Sequence, residues 1–376
     1  MDKRQFDRLD STLPRLAFGC MRLPKTPDGK IDYAAAGEMV DYAMAHGLNY
    51  FDTAYVYHDQ DSENFVGQAL KKYDRKSFYV ATKLPLWLCE TKEDMERIFN
   101  EHLQRLQMDY IDFYLLHSTN RGVYPKWAEF GAYEFIEQKK KEGKIRNIGF
   151  SFHADKDLLE EILSSHHWDF CQLQINYLDW HNGDAKELYD LTVKHDVPVM
   201  VMEPVRGGYL SSFAPAVEAP MKACHPELSV SAWALRWVAS LPNVAIVLSG
   251  MSNMKQMQDN VNTFTDFEPM NDEEYQVIDK VLAELDKIKP IPCTGCRYCM
   301  DCPNGVDIPA AFAAYNDYKK TENKELILNR YFNPNNASKL ASQCIACGAC
   351  APQCPQHINI PEELARVTRE LEALKG

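Results

Sequence analysis

The sequence has no long apolar run and no excess of basic residues. No segment reaches the roughly 18 consecutive apolar residues that a membrane-spanning helix needs, so the sequence predicts no membrane partner. Lysine and arginine together number 41, against 54 for aspartate and glutamate, and the formal net charge of the 376 residues is -13. Nucleic-acid partners normally require a dense basic surface, so this charge balance argues against nucleic acid.

The start of the chain lacks the apolar segment of a signal peptide. The charged residues Asp2, Lys3 and Arg4 open it, and no apolar run follows them. We therefore expect a cytoplasmic protein. Because a reducing compartment keeps thiols free of disulfides, the twelve cysteines are better explained by metal binding.

The first 250 residues contain eight short apolar segments that alternate with helical patterns, of which residues 91–106 are the clearest. Apolar strands separated by helices are typical of a parallel sheet covered by helices. Eight such units predict a closed (β/α)8 TIM barrel, which can use about 250 residues as one domain. A hairpin broken at Asp10 is expected ahead of it, within residues 6–16. The barrel strands are predicted at residues 16–20, 49–53, 78–83, 110–117, 145–150, 170–175, 197–202 and 244–248.

Three of these strands end in one ionisable side chain each, namely Asp52, Lys83 and His117, and Tyr57 follows Asp52 by five residues. The carboxyl ends of the strands form the edge at which barrel enzymes place their active sites. Taken singly, each residue is as readily explained by an ion pair at the rim or by core packing, because perturbed groups serve folds as well as active sites. Their joint placement at successive strand ends indicates a catalytic site.

This set resembles the catalytic tetrad of the aldo-keto reductases, a family of barrel-fold oxidoreductases that use a nicotinamide cofactor. The resemblance covers nearly all of residues 1–265. It implies an enzyme that interconverts a small carbonyl substrate and an alcohol by hydride transfer with NADP or NAD. Since reduction leaves an alkoxide that must be protonated, Tyr57 would be the general acid/base, with its pKa lowered by the charge of Lys83. Asp52 would hold Lys83, and His117 would orient the substrate oxygen.

The resemblance extends to segments that bind the cofactor in this family. Segments 149–151 and 174–177 resemble those that hold the nicotinamide carboxamide, and segment 203–208 resembles the loop that straps down the pyrophosphate. Segment 249–260 resembles the adenine end, where a helix N-terminus favours phosphate. The residues implied for cofactor binding are Cys20, Met21, Ser151, Gln174, Glu203, Val205, Gly207, Gly250, Met251, Gln256 and Asn260.

Three positions depart from the pattern of the family. Phe152 stands where asparagine usually follows the serine, and Met202 stands where an aromatic residue often stacks on the nicotinamide. Gln256 stands where many members place an arginine for the 2′-phosphate. Lys255 or Arg206 could substitute for that arginine, so the choice between NADPH and NADH stays open.

The physiological substrate is not readable from the sequence. Several aromatic side chains fall on or near the loops after the strands, where they either line a substrate pocket or fill the core. These residues are Tyr55, His58, Trp87, Tyr124, Trp127 and Trp180.

Eight of the cysteines form two runs near the end of the chain. In the second run three cysteines are spaced by two residues, a fourth follows after three, and a proline closes it, which repeats the bacterial ferredoxin run. In the first run only two residues separate the third cysteine from the fourth, Cys302, so the assignment of Cys302 to the neighbouring cluster is less secure. The fourth cysteine of such a run reaches the neighbouring cluster. The ligand sets expected for two 4Fe-4S clusters are Cys293, Cys296, Cys299 and Cys354, and Cys344, Cys347, Cys350 and Cys302.

Zinc is the main alternative for these cysteines, because paired spacings of this kind also make tetrahedral zinc sites. The residues between the two runs have helical character and resemble the α-helical type of ferredoxin. A stiff connector at residues 289–292 sets the predicted domains as an aldo-keto reductase barrel at 1–288 and a ferredoxin domain at 289–376. The other cysteines, Cys20, Cys89, Cys171 and Cys224, are expected to be small buried hydrophobes.

The role of the clusters is open, because a hydride carries two electrons whereas each cluster passes one at a time. No flavin motif is visible that would convert one kind of transfer into the other. A docking or structural role is the favoured hypothesis, with electron transfer and a redox protein partner as further options. The alternative hypothesis for the whole chain is a nucleotide-binding redox sensor, a regulatory protein or an electron-transfer subunit without carbonyl turnover.

Overall fold

The computed structural model describes residues 1–376 with a few exceptions. These are Asp10, Lys289, Glu322 and Gly376, together with the side chains of Thr321, Leu326, Asn335 and Ser338. The predicted break of the hairpin at Asp10, the first residue of the predicted connector, Lys289, and the predicted end of the second domain, Gly376, therefore lie outside the described residues.

Eight parallel strands close into a barrel in which neighbours in sequence pair and the last strand pairs with the first. The predicted (β/α)8 barrel is thus confirmed. An antiparallel pair, β1 (Lys3–Arg4) with β2 (Leu13–Pro14), precedes it, so a hairpin is present, but its first strand lies before the expected residues 6–16. The barrel strands are β3 (Leu16–Gly19), β4 (Tyr50–Asp52), β5 (Tyr79–Leu84), β6 (Ile111–Thr119), β7 (Ile145–Phe152), β8 (Phe170–Gln174), β9 (Val199–Met202) and β10 (Val244–Ser249).

Helices alternate with these strands. They are α1 (Tyr33–Ala45), α2 (Ser62–Leu70), α3 (Lys92–Leu106), α4 (Pro125–Phe130), α5 (Ala132–Lys141), α6 (Lys156–Ser165), α7 (Tyr177–Asn182), α8 (Ala185–Lys194), α9 (Pro215–Cys224), α10 (Val230–Ala239), α11 (Met254–Thr263) and α12 (Asp272–Leu285). Helix α3 starts after Thr91, as predicted, and the Thr91 N–H donates to the Asp94 carboxylate at 3.0 Å. In the parts of the chain that the structure describes, no helix combines the length and apolarity that a membrane crossing requires.

The strand period decides which side chains enter the barrel. Tyr50, Ala81, Phe113 and Phe170, which come from four different strands, belong to one buried cluster. Successive side chains of a strand point to opposite faces, so the residues two or four positions further along share the same face. By this alternation the side chains at the carboxyl ends of β4, β5, β6 and β8 that point into the barrel are Asp52, Lys83, His117 and Gln172.

The chain forms two compact units. The first comprises Met1–Pro204 and Ser231–Asn271, and the second comprises Val205–Val230 and Asp272–Gly376. The second unit therefore includes the predicted pyrophosphate loop from Val205 onward, helix α9 and helix α12. The boundary at residue 288 was drawn from composition and motif, and as a domain boundary it stays a prediction.

The second unit has its own apolar core. Its further helices are α13 (Ile308–Thr321), α14 (Lys324–Arg330) and α15 (Ile360–Glu372), and helical structure between the two cysteine runs is confirmed. Phe312, Tyr315 and Val367 are fully buried in this core, and cysteines of both runs pack partly buried against it. The unit therefore has apolar packing of its own beside the cysteines.

Candidate active site and cysteine loops

Lys83 is the centre of the barrel site. Its ammonium is fully buried and donates to the Asp52 carboxylate at 2.6 Å and to the Thr53 carbonyl at 2.8 Å. It also donates to the Tyr57 hydroxyl at 3.4 Å. A buried charge needs partners of this kind, because an uncompensated ammonium in the interior costs several kcal/mol. The three predicted catalytic residues therefore lie in one hydrogen-bonded group.

Gln172 is a member of the site that was not predicted from the sequence. Its amide donates to the second oxygen of Asp52 at 3.0 Å, across the barrel from β8 to β4. Both Asp52 oxygens are thus occupied, which fixes the carboxylate that in turn holds Lys83. The signal was present in the sequence as the inward position two residues after Phe170, but only barrel closure places β8 opposite β4.

Tyr57 lies in the turn between β4 and α2 and is half-buried. Its N–H donates to the Ala54 carbonyl at 3.2 Å, and the following His58 adopts a left-handed backbone with φ of 51°. The His58 ring accepts from the Leu23 N–H at 3.3 Å. This contact anchors the turn to the segment after β3, so the position of the phenol is set by local structure.

The direction of the Tyr57 pKa differs from the prediction. Burial raises the pKa of Tyr57 well above its ordinary value, and the charge of Asp52 raises it further. The predicted net lowering of this pKa is therefore wrong for the structure, because burial of the phenol outweighs the effect of Lys83. Asp52 also neutralises the ammonium at 2.6 Å, so the pair presents little net positive charge to the phenol. Tyr57 consequently keeps its proton at neutral pH.

His117 completes the group as a neutral imidazole. Its ring stands edge-on to the Tyr57 ring with 6.1 Å between centroids. Burial holds the pKa of His117 well below its usual value, and the charge of Lys83 adds to this effect. Its Nδ1 atom is buried without a hydrogen-bond partner among the residues that the structure describes. A neutral ring with an unused polar atom beside a phenol suits an uncharged polar ligand.

One aromatic candidate for a substrate pocket lies beside this group. Trp87, in the loop after β5, has its ring 5.0 Å from the His117 ring. By contrast, Trp127 packs against Trp168 with 5.5 Å between centroids and is 4% exposed, so it belongs to the core. Trp180 likewise packs against Trp237 at 5.3 Å.

The residues predicted to hold the nicotinamide carboxamide lie at neighbouring strand ends. Ser151 on β7 is buried, and its oxygen accepts from the Ser118 N–H at 2.7 Å, which leaves its own hydroxyl proton for another acceptor. Gln174 at the end of β8 donates to the Asp179 carboxylate at 2.8 Å. Both positions are compatible with the predicted contact, which stays a prediction.

The other residues predicted for the cofactor in the first unit differ in exposure. Cys20 and Met251 are fully buried, so their side chains pack inside the protein. The Asn260 amide donates to Ser249 at 2.8 Å and ties α11 to the end of β10. Met21, Gly250 and Gln256 are half-buried or exposed.

Glu203 and the residues after it form an unusual stretch of backbone. Glu203 pairs with Arg22 at 3.4 Å and has φ of 55°. In the second unit, Gly207 has φ of 63° and Gly208 has φ of 93°, a left-handed conformation that side chains disfavour. The Val205 carbonyl accepts from the Gly208 and Leu210 N–H groups at 3.0 Å each, and the role predicted for Val205 and Gly207 stays a prediction.

The eight cysteines of the two runs fall into two groups in space. Burial raises the pKa of the Cys299 thiol to about 12, and the nearby Cys296, Cys293 and Cys354 raise it further. Burial likewise raises the pKa of Cys350, and its thiol neighbours are Cys344, Cys302 and Cys347. Each fourth cysteine thus lies with the other run, and this includes Cys302, whose shorter spacing departs from the ferredoxin pattern.

The two runs share one backbone conformation. The residues two and four positions after the first cysteine are left-handed in both runs, Gly295 and Arg297 in the first and Ala346 and Gly348 in the second. In each run the N–H two positions on donates to the sulfur of the first cysteine at 3.4 Å, from Gly295 and from Ala346. Hydrogen bonds to sulfur are one of the factors that set the potential of iron-sulfur clusters.

The spacing of the thiols suits a cluster better than a single ion. All twelve cysteines are present as thiols. Among the described residues, no three His, Cys, Asp or Glu side chains converge closely enough for one metal ion. Cys302, Cys344, Cys347 and Cys350 line one shared pocket, and Cys299 of the first run and Leu364 line it as well. Four cysteines are the ligand set of a 4Fe-4S cluster, in which each thiolate binds a different iron, so this donor set fits such a cluster.

Comparison with known proteins identifies the family of the barrel and the type of the cysteine domain. The model of the aldo/keto reductase family matches residues 15–283, which is more than half of the chain. The model of the 4Fe-4S dicluster domain matches residues 292–358. The chain therefore belongs to the aldo-keto reductase family of oxidoreductases and carries a 4Fe-4S dicluster domain.

Individual relatives give the same result. The NADH-specific methylglyoxal reductase of Escherichia coli is 26% identical over 307 residues, which cover 69% of this chain and 93% of that protein. The holo form of an aldo-keto reductase from Bacillus halodurans is 30% identical, with a TM-score of 0.62, and covers 75% of this chain and 96% of its own. An aldo/keto reductase of Klebsiella pneumoniae in complex with NADP and acetate is 24% identical, with a TM-score of 0.61 over 72% and 92% of the two chains, and shows the fold.

Proposed function

We propose that this oxidoreductase interconverts a small carbonyl compound and an alcohol, with Tyr57 as the general acid and base. The observation that supports this proposal best is the position of the Lys83 ammonium, 2.6 Å from Asp52 and 3.4 Å from the Tyr57 hydroxyl. A purely structural ion pair would need no phenol beside it. A nicotinamide cofactor, when bound, supplies or accepts the hydride.

Tyr57 and His117 divide the work on the substrate oxygen. His117 stays neutral because its pKa is held well below the usual value, so it can hydrogen-bond a carbonyl oxygen without titrating near neutral pH. Tyr57 keeps its proton, since its pKa is raised, and gives that proton to the oxygen as charge develops there. In the oxidative direction the same phenol oxygen takes the proton from the alcohol.

Lys83 acts on the Tyr57 phenol mainly through a hydrogen bond, because Asp52 balances the charge of its ammonium. The Tyr57 oxygen accepts from the ammonium, so the phenol proton is left to point toward a substrate. Once the proton leaves, the ammonium at 3.4 Å stabilises the phenolate by a charge-assisted hydrogen bond. Asp52 and Gln172 keep the ammonium in place for this role.

The cofactor is NADP or NAD, held by the residues predicted for it. Ser151 and Gln174 would bind the carboxamide, and the segment from Glu203 to Gly207 would bind the pyrophosphate. The named relatives do not agree on the dinucleotide, because one is NADH-specific and a solved neighbour binds NADP. Both cofactors are therefore to be tested.

The cysteines hold two 4Fe-4S clusters with crossed ligands. One set is Cys293, Cys296, Cys299 and Cys354, and the other is Cys302, Cys344, Cys347 and Cys350. The cysteines that raise the pKa of Cys299 belong to the first set, and those that raise the pKa of Cys350 belong to the second, which supports this division. We assign the clusters a docking or structural role. In the second run Cys347 and Ile345 are exposed.

An anaerobic screen of carbonyls and alcohols with NADPH and NADH tests the proposed activity. Protein assayed for iron and sulfide should oxidise at least one of the two cofactors in the presence of a small carbonyl. Wild-type protein with intact clusters that oxidises neither cofactor with any aldehyde or ketone would contradict the proposal.

Rapid mixing with NADPH under anaerobic conditions tests the role of the clusters. For a docking or structural role, the visible absorbance of the clusters should not bleach at the rate of turnover. Bleaching at that rate would instead make the clusters part of the electron path.

A further inference from the structure

The predicted pyrophosphate loop packs against the first cysteine run. A Cβ atom placed on Gly207 would lie 2.2 Å from the carbonyl oxygen of Thr294, far inside any allowed contact. Thr294 is itself 3% exposed and sits between Cys293 and Cys296. The backbone of the loop and the backbone of the cluster loop are thus in direct contact, within the same compact unit.

Lys320 on α13 makes a second connection to the same loop. Its ammonium donates to the Tyr209 carbonyl at 3.2 Å and lies over the rings of Tyr209 and Phe213 at 5.1 and 5.4 Å. Lys320 is 9% exposed, and the charges of Asp317 and Glu218 act on it, while its direct contacts are the carbonyl and the two rings. Carbonyl and ring faces are therefore the partners that hold this buried charge, and they fix the loop to the helix that follows the first run.

We propose that the cysteine domain positions the loop 205–213 and thereby couples the state of the cluster held by Cys293 and Cys296 to the affinity for the dinucleotide. This inference rests on the proposed function, in which Val205 and Gly207 bind the pyrophosphate. Gly207 and Lys320 act as positioning residues, through the loop and not through contact with the reacting atoms.

The sign of the coupling follows from charge. Reduction adds one negative charge to the cluster, and the pyrophosphate is also negative, so the reduced cluster should bind the dinucleotide more weakly. Coupling between two sites is reciprocal. Bound dinucleotide should therefore make the reduction potential of the cluster more negative. A tenfold difference in dissociation constant between the two cluster states corresponds to a shift of about 59 mV for one electron.

The first test uses the wild-type holoprotein. Redox titrations followed by EPR are compared with and without saturating ADP-ribose or its 2′-phosphate, which carry the pyrophosphate but no reducible ring. We expect the potential of one cluster to become more negative by tens of millivolts and that of the other to stay unchanged. Unchanged potentials of both clusters, or a positive shift, would overturn the coupling. Failure of wild-type protein to bind NADPH or NADH would overturn the proposed function, and this inference with it.

The second test compares two neighbouring glycines. In Gly207→Ala the new methyl group meets Thr294, whereas in Gly208→Ala the nearest atom is the Ser211 hydroxyl at 3.8 Å. Both positions have positive φ, so both substitutions strain the backbone equally in kind. We expect Gly207→Ala to alter the EPR signal of one cluster and to raise the dinucleotide Kd by about tenfold or more. Gly208→Ala should leave the EPR signals unchanged, and identical cluster spectra for both variants would contradict the positioning role.

Discussion

The barrel site and the cysteine loops differ in how they assemble their reactive groups. In the barrel, Asp52, Lys83, His117 and Gln172 come from four strands that are far apart in sequence, and only closure of the sheet brings them together. In the cysteine loops, three thiols of each group come from one short segment, and a single thiol arrives from the other run. The barrel site depends on the whole fold, whereas most of each cluster site is local.

The two regions also differ in how charge is balanced. The Lys83 ammonium is already neutralised by Asp52, so the barrel site is complete before any ligand binds. Burial raises the pKa of the Cys299 thiol, and a bound metal offsets this because it binds the deprotonated thiolate. The cysteine loops are thus built for a group that brings its own positive charge.

The largest expected effect separates the two regions. Tyr57→Phe removes the proton donor, so carbonyl turnover should fall by about 10²- to 10⁴-fold while dinucleotide affinity and iron content stay unchanged. Steady-state kinetics and an iron assay measure both quantities. Tyr55→Phe is the matched control, because its hydroxyl bonds Glu101 at 2.6 Å and should leave turnover nearly intact. A chain that merely binds nucleotide as a regulator would be indifferent to both substitutions.

The next effect tests the cross-barrel contact. Gln172→Leu leaves one oxygen of the buried Asp52 carboxylate without its donor, which should lower the free energy of unfolding by about 1.5–3 kcal/mol. Carbonyl turnover should fall by about tenfold, because Asp52, which holds Lys83 in place, shifts. Gln138→Leu, at an exposed position on α5, should change stability by less than about 0.5 kcal/mol. Equal thermal denaturation and turnover in the two variants would remove Gln172 from the site.

A smaller effect tests the division of the thiols. Cys350→Ser and Cys302→Ser should lose the same EPR signal, with iron falling from about eight to about four atoms per chain. Cys299→Ser should lose the other signal. Carbonyl turnover should stay within about twofold in Cys350→Ser, because the second cluster has a docking or structural role. Cys224→Ser, outside both runs, should retain all the iron, and a Cys302→Ser variant that keeps both signals would disprove the crossed pairing.

The smallest effect is an absence of change. The pKa of His117 lies well below the usual histidine value of about 6.5, so the imidazole stays neutral from pH 6 to 8. The kcat for carbonyl reduction should therefore be flat over this range. A fall in kcat with a midpoint near pH 6.5 that disappears in His117→Gln would show that the ring titrates in the ordinary range.

Much of the barrel was predictable because its signals are periodic. Eight apolar segments alternating with helices gave the closed sheet, and Asp52, Lys83 and His117 stood at strand ends where barrel enzymes place their chemistry. Gln172 was missed, because a polar residue inside a strand carries no signal until the opposite strand is known. The direction of the Tyr57 pKa was missed because it depends on the burial of the phenol and on its distance from Asp52, which only the folded chain sets.

The loop from Val205 gives a second example. Its resemblance to a pyrophosphate loop was readable from the glycines, but its packing against Thr294 was not. That contact joins residues nearly 90 positions apart, and no local pattern encodes it.

By itself, the sequence determined the parts of this protein that depend on short-range order: the alternation of strands and helices, the ionisable strand ends and the spacing of the cysteines. Only the tertiary structure decided which of these parts meet, such as Gln172 with Asp52, Cys354 with the first cysteine run, and Gly207 with Thr294. The reason is physical, because burial and the balance of charge arise from groups that the folded chain brings within a few ångströms of each other.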